Sequence, residues 1–407
     1  MHLDTKALRH LASEDWKVLA AVEQGSKNHE LVPTMLIEKL SRLRGGANGV
    51  HKSISNLAKV GLIARVKEAK YDGYRLSYGG LDYLAMHTYS TRKEVYSVGS
   101  RVGVGKESDI MMVANDKGKQ LILKIHRLGR ISFRTVKSNR DYLKKNQSGS
   151  WMYLSRLAAM KEFAFMKALK AEGFPVPDPI AQNRHTIVMS FIDSFPLRQI
   201  SAVPDPAPLY AELIDLILRL AKHGLIHGDF NEFNILIKEE TTTTKTEEGE
   251  EESIKLVPIV IDFPQMVSME HTNAEMYFDR DVNCIKRFFQ KRFHFTPTTP
   301  GPFYKDAKKT VAGAPRLDAT VEASGFTKKM AKDLEKAIQE QASSKDNDLD
   351  GEAGEEYDDE EEDDDDEEEE DDDEAEDEEP VVGGHEDKAG EGQEQIDTQK
   401  FSKLTVT

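Results

Sequence analysis

His227-Gly228-Asp229-Phe230-Asn231-Glu232-Phe233-Asn234 is a polar stretch that opens directly onto the apolar run Ile235-Leu236-Ile237. Leu209 to His223, upstream of it, reads as a helix after the break at Pro204 to Pro208. An aspartate and an asparagine five positions apart, in a loop between helix and strand, suit phosphoryl transfer. The Asp229 carboxylate can take the proton of an attacking hydroxyl, and the Asn234 amide oxygen can bind Mg²⁺. His227 reads more simply as a ring that packs and orients the loop.

Three further pieces occur in the order such a site needs. Val260-Ile261-Asp262-Phe263-Pro264 ends a buried strand on an aspartate, which is either a metal ligand or a turn former. Leu121-Ile122-Leu123-Lys124-Ile125 puts a lysine in an apolar strand, where burial is costly unless the charge is paired. Its candidate partner is Glu162, on a helix from Met152 to Ala171. The plainer alternatives are an edge-strand lysine reaching water and a surface glutamate beside Lys161 and Lys167. Gly103-Val104-Gly105-Lys106-Glu107-Ser108-Asp109-Ile110 lies between strands, where glycines let backbone N–H groups approach phosphate oxygens. A glycine pair alone also makes an ordinary turn, and the spacing does not fit a Walker A loop.

The first ninety residues read as three helices and a hairpin, then a helix. The expected helices run from Ser13 (as N-cap) to Gly25, from Val32 to Leu43 with Gly45-Gly46 as the stop, and from His51 to Val60. Leu62 to Val66 and Tyr74 to Leu76 read as strands turned at Asp72-Gly73. This order suggests a winged helix-turn-helix. Lys52, Lys59, Lys67, Lys70 and Arg75 make it basic, and Arg127 to Lys145 adds a second basic patch, so nucleic acid is favoured over a protein-contact role. Glu239 to Ser253 reads as a polar insertion, Asp279 to Phe293 as a helix and Thr327 to Ala342 as another.

Charge locates the rest. The chain has 407 residues and a formal net charge of -18, yet Asp346 to Glu379 alone holds 27 acidic residues and no Lys or Arg, so without that stretch the charge becomes +9. The tail is expected to be disordered, and the remainder is mildly basic. The lone Cys284 excludes an internal disulfide and a cysteine metal cluster. No run of about 18 apolar residues suggests a membrane span, and the first ten residues do not resemble a secretory signal. An intracellular, soluble protein is expected.

Together, Gly105-Lys106-Glu107-Ser108, the 227–234 loop and Ile261-Asp262-Phe263-Pro264 resemble the RIO atypical protein kinases. The leading domain, with Tyr71-Asp72-Gly73-Tyr74-Arg75-Leu76, resembles the winged-helix-bearing second subfamily, over roughly residues 8 to 295. The resemblance implies an α+β chain. The winged helix would occupy 1–92, a small bilobal kinase-like domain 93–300 (lobes 93–190 and 191–300), a helical extension 301–345 and the acidic tail 346–407.

It implies ATP with Mg²⁺ or Mn²⁺ as cofactors. Gly103, Val104, Gly105, Lys106 and Ser108 would cover the triphosphate, Lys124 would contact it and Glu162 would orient Lys124. Met189, Ser190 and Ile192 would form the adenine hinge, Asp229 would be catalytic, and Asn234 and Asp262 would hold the metal, Asp262 also being a phosphoacceptor. Asp281 would brace the catalytic loop or cap a surface helix. Ser108, Pro264 and the lack of an Ala-Pro-Glu motif depart from ordinary kinases and argue against efficient turnover of protein substrates.

The resemblance further implies autophosphorylation and a switch role in late maturation of the small (40S) ribosomal subunit. The implied partners are the pre-40S particle, its rRNA, and ribosomal and assembly proteins, with no membrane. The implied location is the cytoplasm, with shuttling through the nucleus. Three readings stand at this point: a serine kinase, an ATPase switch, and a non-enzymatic RNA-binding assembly factor with a decayed site.

Overall fold

The computed structural model describes residues 5–29, 31–66, 71–105, 107–128, 150–246, 249–313, 315–323 and 330–335. Lys67, Lys70, Lys106, the basic segment 129–149 and the acidic tail lie outside them.

Three helices, α1 (Ser13–Gly25), α2 (Thr34–Ser41) and α3 (Gly46–Lys59), pack beside a hairpin of β1 (Ile63–Arg65) and β2 (Gly73–Leu76). The apolar positions close one core: Val18, Leu19 and Val22 of α1, Ile37 of α2, and Val50, Ile54 and Leu57 of α3. Boundaries differ from the sequence reading for local reasons. Ala12, not Ser13, is the N-cap of α1, and the Ala12 N–H donates to the Asp15 carboxylate at 3.1 Å. Helix α2 stops at Ser41 because Arg42 turns left-handed (φ 50°), and Gly45-Gly46 leads into α3 rather than ending α2. Asp72-Gly73 is not the hairpin turn. Asp72 accepts from the Arg65 guanidinium at 2.6 Å, and Gly73 already lies in β2. Glycine is required there because a Cβ would sit 2.7 Å from the Val32 carbonyl oxygen.

Helix α4 (Tyr78–Thr91), capped by the Ser77 hydroxyl, leads to a five-stranded antiparallel sheet. Its strands are β3 (Ser97–Val104), β4 (Ser108–Ala114), β5 (Gln120–His126), β6 (Pro179–Asn183) and β7 (Thr186–Ser190), in the order β3-β4-β5-β7-β6. Alternation along β5 divides its side chains between two faces. Leu121, Leu123 and Ile125 join the winged-helix core, with Met111, Val113 and Val188. Ile122, Lys124 and His126 face the other way, where α5 (Ser150–Ala171) contributes Leu157, Phe165 and Leu169 to the second core. The sheet therefore belongs to both cores, and the first core is continuous from α1 to β7.

The second lobe packs α6 (Pro206–Lys222) and α7 (Ala274–Phe293) against one another and against Ile235 and Ile237. The expected polar insertion is instead the far end of a long hairpin, β8 (Ile235–Thr246) with β9 (Gly249–Val260), in register from Ile235↔Val260 to Thr246↔Gly249. The consecutive β-branched threonines Thr241 to Thr244 favour strand despite their polarity. Short helices follow at Tyr304–Lys309 and Leu317–Ala323. Of the expected helix at 327–342, residues 330–335 are described and helical, and Leu334 is buried in the second core. No helix among the described residues is long and apolar enough to cross a membrane.

Because winged helix and sheet share one core, both should unfold together. Leu123→Ala should cost about 2–5 kcal/mol and lower a single urea transition seen by both α-helical and β-sheet probes. Two separate transitions would contradict the shared core.

Candidate active site

Lys124 is the charge around which the site forms. Its side chain is only 8% exposed, and Nζ donates to Glu162 Oε1 at 2.9 Å and to Asp262 Oδ1 at 2.8 Å. Glu162 comes from α5, where helical spacing turns it away from Lys161 and Lys167 and toward the sheet. The surface-residue alternatives for Lys124 and Glu162 are thereby excluded. Burial alone would lower the lysine pKa, but the two carboxylates outweigh it and keep Lys124 charged. An ammonium has three donors; two serve the carboxylates, leaving one to point at a ligand. His126, two residues on and so on the same face, lies 2.9 Å from Glu162 Oε2, though without hydrogen-bond geometry. The sequence reading missed it; the alternation Ile122-Lys124-His126 is the signal that could have found it.

Asp262 follows β9 and adopts φ 70°, a left-handed conformation that costs a non-glycine residue about 1–3 kcal/mol. Several bonds hold it there. The Ile261 N–H donates to the Asn234 carbonyl at 3.0 Å, and the Ile261 carbonyl oxygen lies 3.2 Å from His227 Nε2. Burial would raise the Asp262 pKa, but the adjacent Lys124 outweighs that and holds the carboxyl below its usual value.

The 227–234 loop is fixed from beneath. Asp281 of α7 is buried and accepts from the backbone N–H groups of Gly228 at 2.8 Å and Phe230 at 3.0 Å. It is the brace, not a surface cap. Burial pushes its pKa up to about 7, although both N–H groups favour the anion. Gly228 has φ 80°, and a Cβ there would meet the Gln265 carbonyl oxygen at 2.8 Å. His227 packs edge-on against Phe230 and Phe263 and accepts from the Asp229 N–H at 3.3 Å through Nδ1.

Above this base, Asp229 Oδ1 accepts from Asn231 Nδ2 at 2.9 Å, and Oδ2 accepts from Asn234 Nδ2 at 2.8 Å. The Asp229 pKa is raised by burial and then by the Asp262 charge, which favours a proton acceptor. With Nδ2 facing Asp229, the Asn234 amide oxygen is left for a cation. The two oxygens on offer, Asn234 Oδ1 and Asp262 Oδ2, are hard donors of the kind Mg²⁺ takes alongside phosphates and water. No cluster of three His, Cys, Asp or Glu residues that could hold a metal by itself exists among the described residues. Such a two-donor site fits a metal that arrives with a nucleotide.

The remaining predicted residues sit less closely. Gly103 and Val104 end β3 and Ser108 begins β4, with the Gly105 N–H donating to the Ser108 carbonyl at 2.7 Å. Lys106 lies outside the described residues. At the expected hinge, Met189 and Ser190 end β7 and Ile192 lies beyond it. The Ser190 N–H donates to the Asp178 carbonyl at 3.0 Å, and its hydroxyl accepts from the Asp178 N–H at 2.8 Å. That N–H is therefore committed within the sheet edge.

Asp281→Ala should leave two buried N–H groups unpaired, lowering stability by about 1–3 kcal/mol for each, and should reduce kcat by about 10–100-fold. Urea unfolding and steady-state kinetics check both; unchanged kcat would contradict the brace. Burial also lowers His227 from 6.5 to about 4. A histidine held neutral in the fold contributes stability that is present above pH 6.5 and lost as pH falls toward 4. Urea midpoints should fall more steeply across that window in the wild type than in His227→Phe, and equal slopes would contradict this.

Two family models match: the RIO domain over residues 109–245 and 252–300, and the Rio2 N-terminal domain over residues 8–92. The serine/threonine-protein kinase rio2 of Schizosaccharomyces pombe is 52% identical over 340 residues, spanning 84% of this chain and 93% of that one. The RIO2 kinase of Saccharomyces cerevisiae is 45% identical over 375 residues, 88% of this chain and 86% of that one. The crystal structure of a Rio2 kinase-ADP/Mg²⁺-phosphoaspartate complex from Chaetomium thermophilum is 76% identical, covers 84% of this chain and 100% of that one, and superposes with a TM-score of 0.77. Both folded domains expected from the sequence are thus matched by family models, and the chain belongs to the RIO family of serine/threonine-protein kinases, in the branch that carries the Rio2 N-terminal domain.

Proposed function

We propose that the chain is a Mg²⁺-ATP-dependent kinase and ATPase that passes phosphate through its own Asp262 and acts as a switch in late maturation of the small (40S) ribosomal subunit. The observation carrying the chemistry is the Lys124 ammonium held between Glu162 and Asp262. A buried cation so held is poised to meet phosphate, with Asp262 beside it.

The chain uses ATP and Mg²⁺. The ion neutralises charge on the phosphates, and Asn234 and Asp262 are the residues that would hold it. Lys124 orients the phosphates with its third N–H. An Asp262 carboxylate oxygen can attack the γ-phosphorus as the bond to the bridging oxygen breaks and ADP leaves. Water then attacks the phosphorus of the acyl phosphate, releasing inorganic phosphate and restoring the carboxylate. Asp229 is placed to accept the proton of that water, or of a serine hydroxyl in autophosphorylation. The phosphoaspartate of the Chaetomium relative supports the first step.

The partner reading is a precursor particle, pre-40S, engaged through rRNA and through ribosomal and assembly proteins, in the cytoplasm with shuttling through the nucleus. Exposed Lys52, Lys59 and Arg75 on the winged helix support phosphate contacts.

Single-turnover reaction with γ-labelled ATP should give hydroxylamine-labile label that Asp262→Ala abolishes. Asp229→Ala should slow turnover by at least about a hundredfold, or 2.7 kcal/mol of barrier. Stable label on added protein, with no labile species, would overturn the aspartyl-phosphate route. Lys52→Glu with Lys59→Glu should weaken binding to structured RNA and flatten its salt dependence by about one unit per lost phosphate contact; an unchanged slope would move the RNA surface elsewhere.

A further inference from the structure

Arg127 is 1% exposed, and all three of its guanidinium nitrogens donate to carboxylates. Two serve Asp82 of α4 as a fork, at 2.8 and 2.7 Å, and Nε serves Asp109 of β4 at 3.0 Å. Asp82 and Asp109 are themselves buried, and His185 Nε2 lies 2.8 Å from Asp82 Oδ1. Tyr78, one turn before Asp82, places its ring under the guanidinium at 5.9 Å.

Burying such a group is a weak way to gain stability, since apolar residues of equal volume often serve as well or better. What a planar fork adds is direction. Arg127 stands three residues after Lys124, and its backbone N–H donates to the Glu107 carbonyl at 2.6 Å. Its side chain grips Asp109 two residues further on. The exit of the 103–108 glycine loop is thus held at two points by one residue, whose guanidinium plane is set by Asp82. Asp82 is in turn oriented by His185, whose carbonyl accepts the His126 N–H at 2.9 Å, beside the strand that carries Lys124. Burial lowers the His185 pKa, and because the Asp82 carboxylate only accepts, Nε2 is the donor in this contact.

We infer that Asp82, contributed by the helix that closes the winged-helix domain, is a positioning residue for the nucleotide-phosphate loop, acting through Arg127 and Asp109. This rests on the reading of the 103–108 loop and Lys124 as the ATP site. It makes the winged helix part of the nucleotide-binding apparatus, beyond any role in holding RNA.

A second contact between the same two parts provides the control. Arg184 forms a fork of similar length with Glu23 of α1, at 2.6 and 2.7 Å, and among the described residues it makes no hydrogen bond to the glycine loop. Loss of either fork should loosen the domain contact; only loss of the Asp82 fork should reach the nucleotide.

The test is Mg²⁺-ADP affinity by calorimetry and steady-state kinetics on the full chain, for wild type, Asp82→Asn, Asp109→Asn and Glu23→Gln, with urea unfolding of each. Asp82→Asn should raise Kd and the KM for ATP about tenfold, equivalent to 1.4 kcal/mol, with kcat at saturating ATP within about threefold. Glu23→Gln should lower stability without changing Kd. A folded Asp82→Asn with wild-type affinity, or a Glu23→Gln with the same rise, would overturn the inference. If Asp82→Asn does not fold, Asp109→Asn decides: it keeps the Asp82 fork, and a tenfold rise supports the linkage while unchanged affinity refutes it. Wild type that binds no Mg²⁺-ADP would refute the nucleotide site itself, a separate result from wild-type affinity in the variants.

Discussion

A single buried ammonium organises the catalytic half of this protein. Lys124 can exist in a sheet only if its charge is answered, and the answers come from 38 and 138 residues away, from Glu162 and Asp262. Removing a fully buried partner such as Glu162 typically costs about 3–5 kcal/mol. Helix α5 must therefore lie against β5, and the end of β9 must come up to the sheet. The two lobes meet where that charge is shared. The left-handed backbone at Asp262 and the buried carboxylate of Asp281 beneath the loop are conformations of high local cost, kept by bonds to the neighbours they position.

The sheet carries this arrangement because its two faces do different work. One face is apolar and completes the core of the winged helix; the other presents Ile122, Lys124 and His126. A strand has a period of two, so both functions follow from one alternating sequence. The consequence is mechanical. The winged helix is not tethered by a linker to the kinase-like part; it forms the back wall of the sheet that holds the lysine. Charged contacts at Arg127 with Asp82 and at Arg184 with Glu23 fix its orientation where apolar packing alone would permit sliding.

Much of this was legible in the sequence. Asp229 and Asn234, five apart before an apolar strand, revealed the loop, and the apolar runs around Lys124 and Asp262 revealed two of its neighbours. Helix periodicity found α1, α2, α5 and α6 with small errors at their ends; at the end of α2 the left-handed Arg42 decides, and at the start of α1 the Asp15 cap. Gly73 misled because its role depends on the approach of Val32, a tertiary fact with no local mark. The polar hairpin of β8 and β9 misled because its composition resembles an insertion. The network of Asp82, Asp109, Arg127 and His185 was invisible: each is a polar residue that on average lies at the surface, and only the folded sheet brings them together.

The account stands on Asn234 and Asp262 completing, with a triphosphate, one divalent-metal site beside Lys124. Electron paramagnetic resonance of Mn²⁺ titrated into the full chain, with and without a non-hydrolysable ATP analogue, tests this most directly. One tight Mn²⁺ site that requires the nucleotide, present in the wild type and lost in both Asn234→Ala and Asp262→Asn, is the result the geometry predicts. A nucleotide-dependent site that survives both substitutions would contradict it.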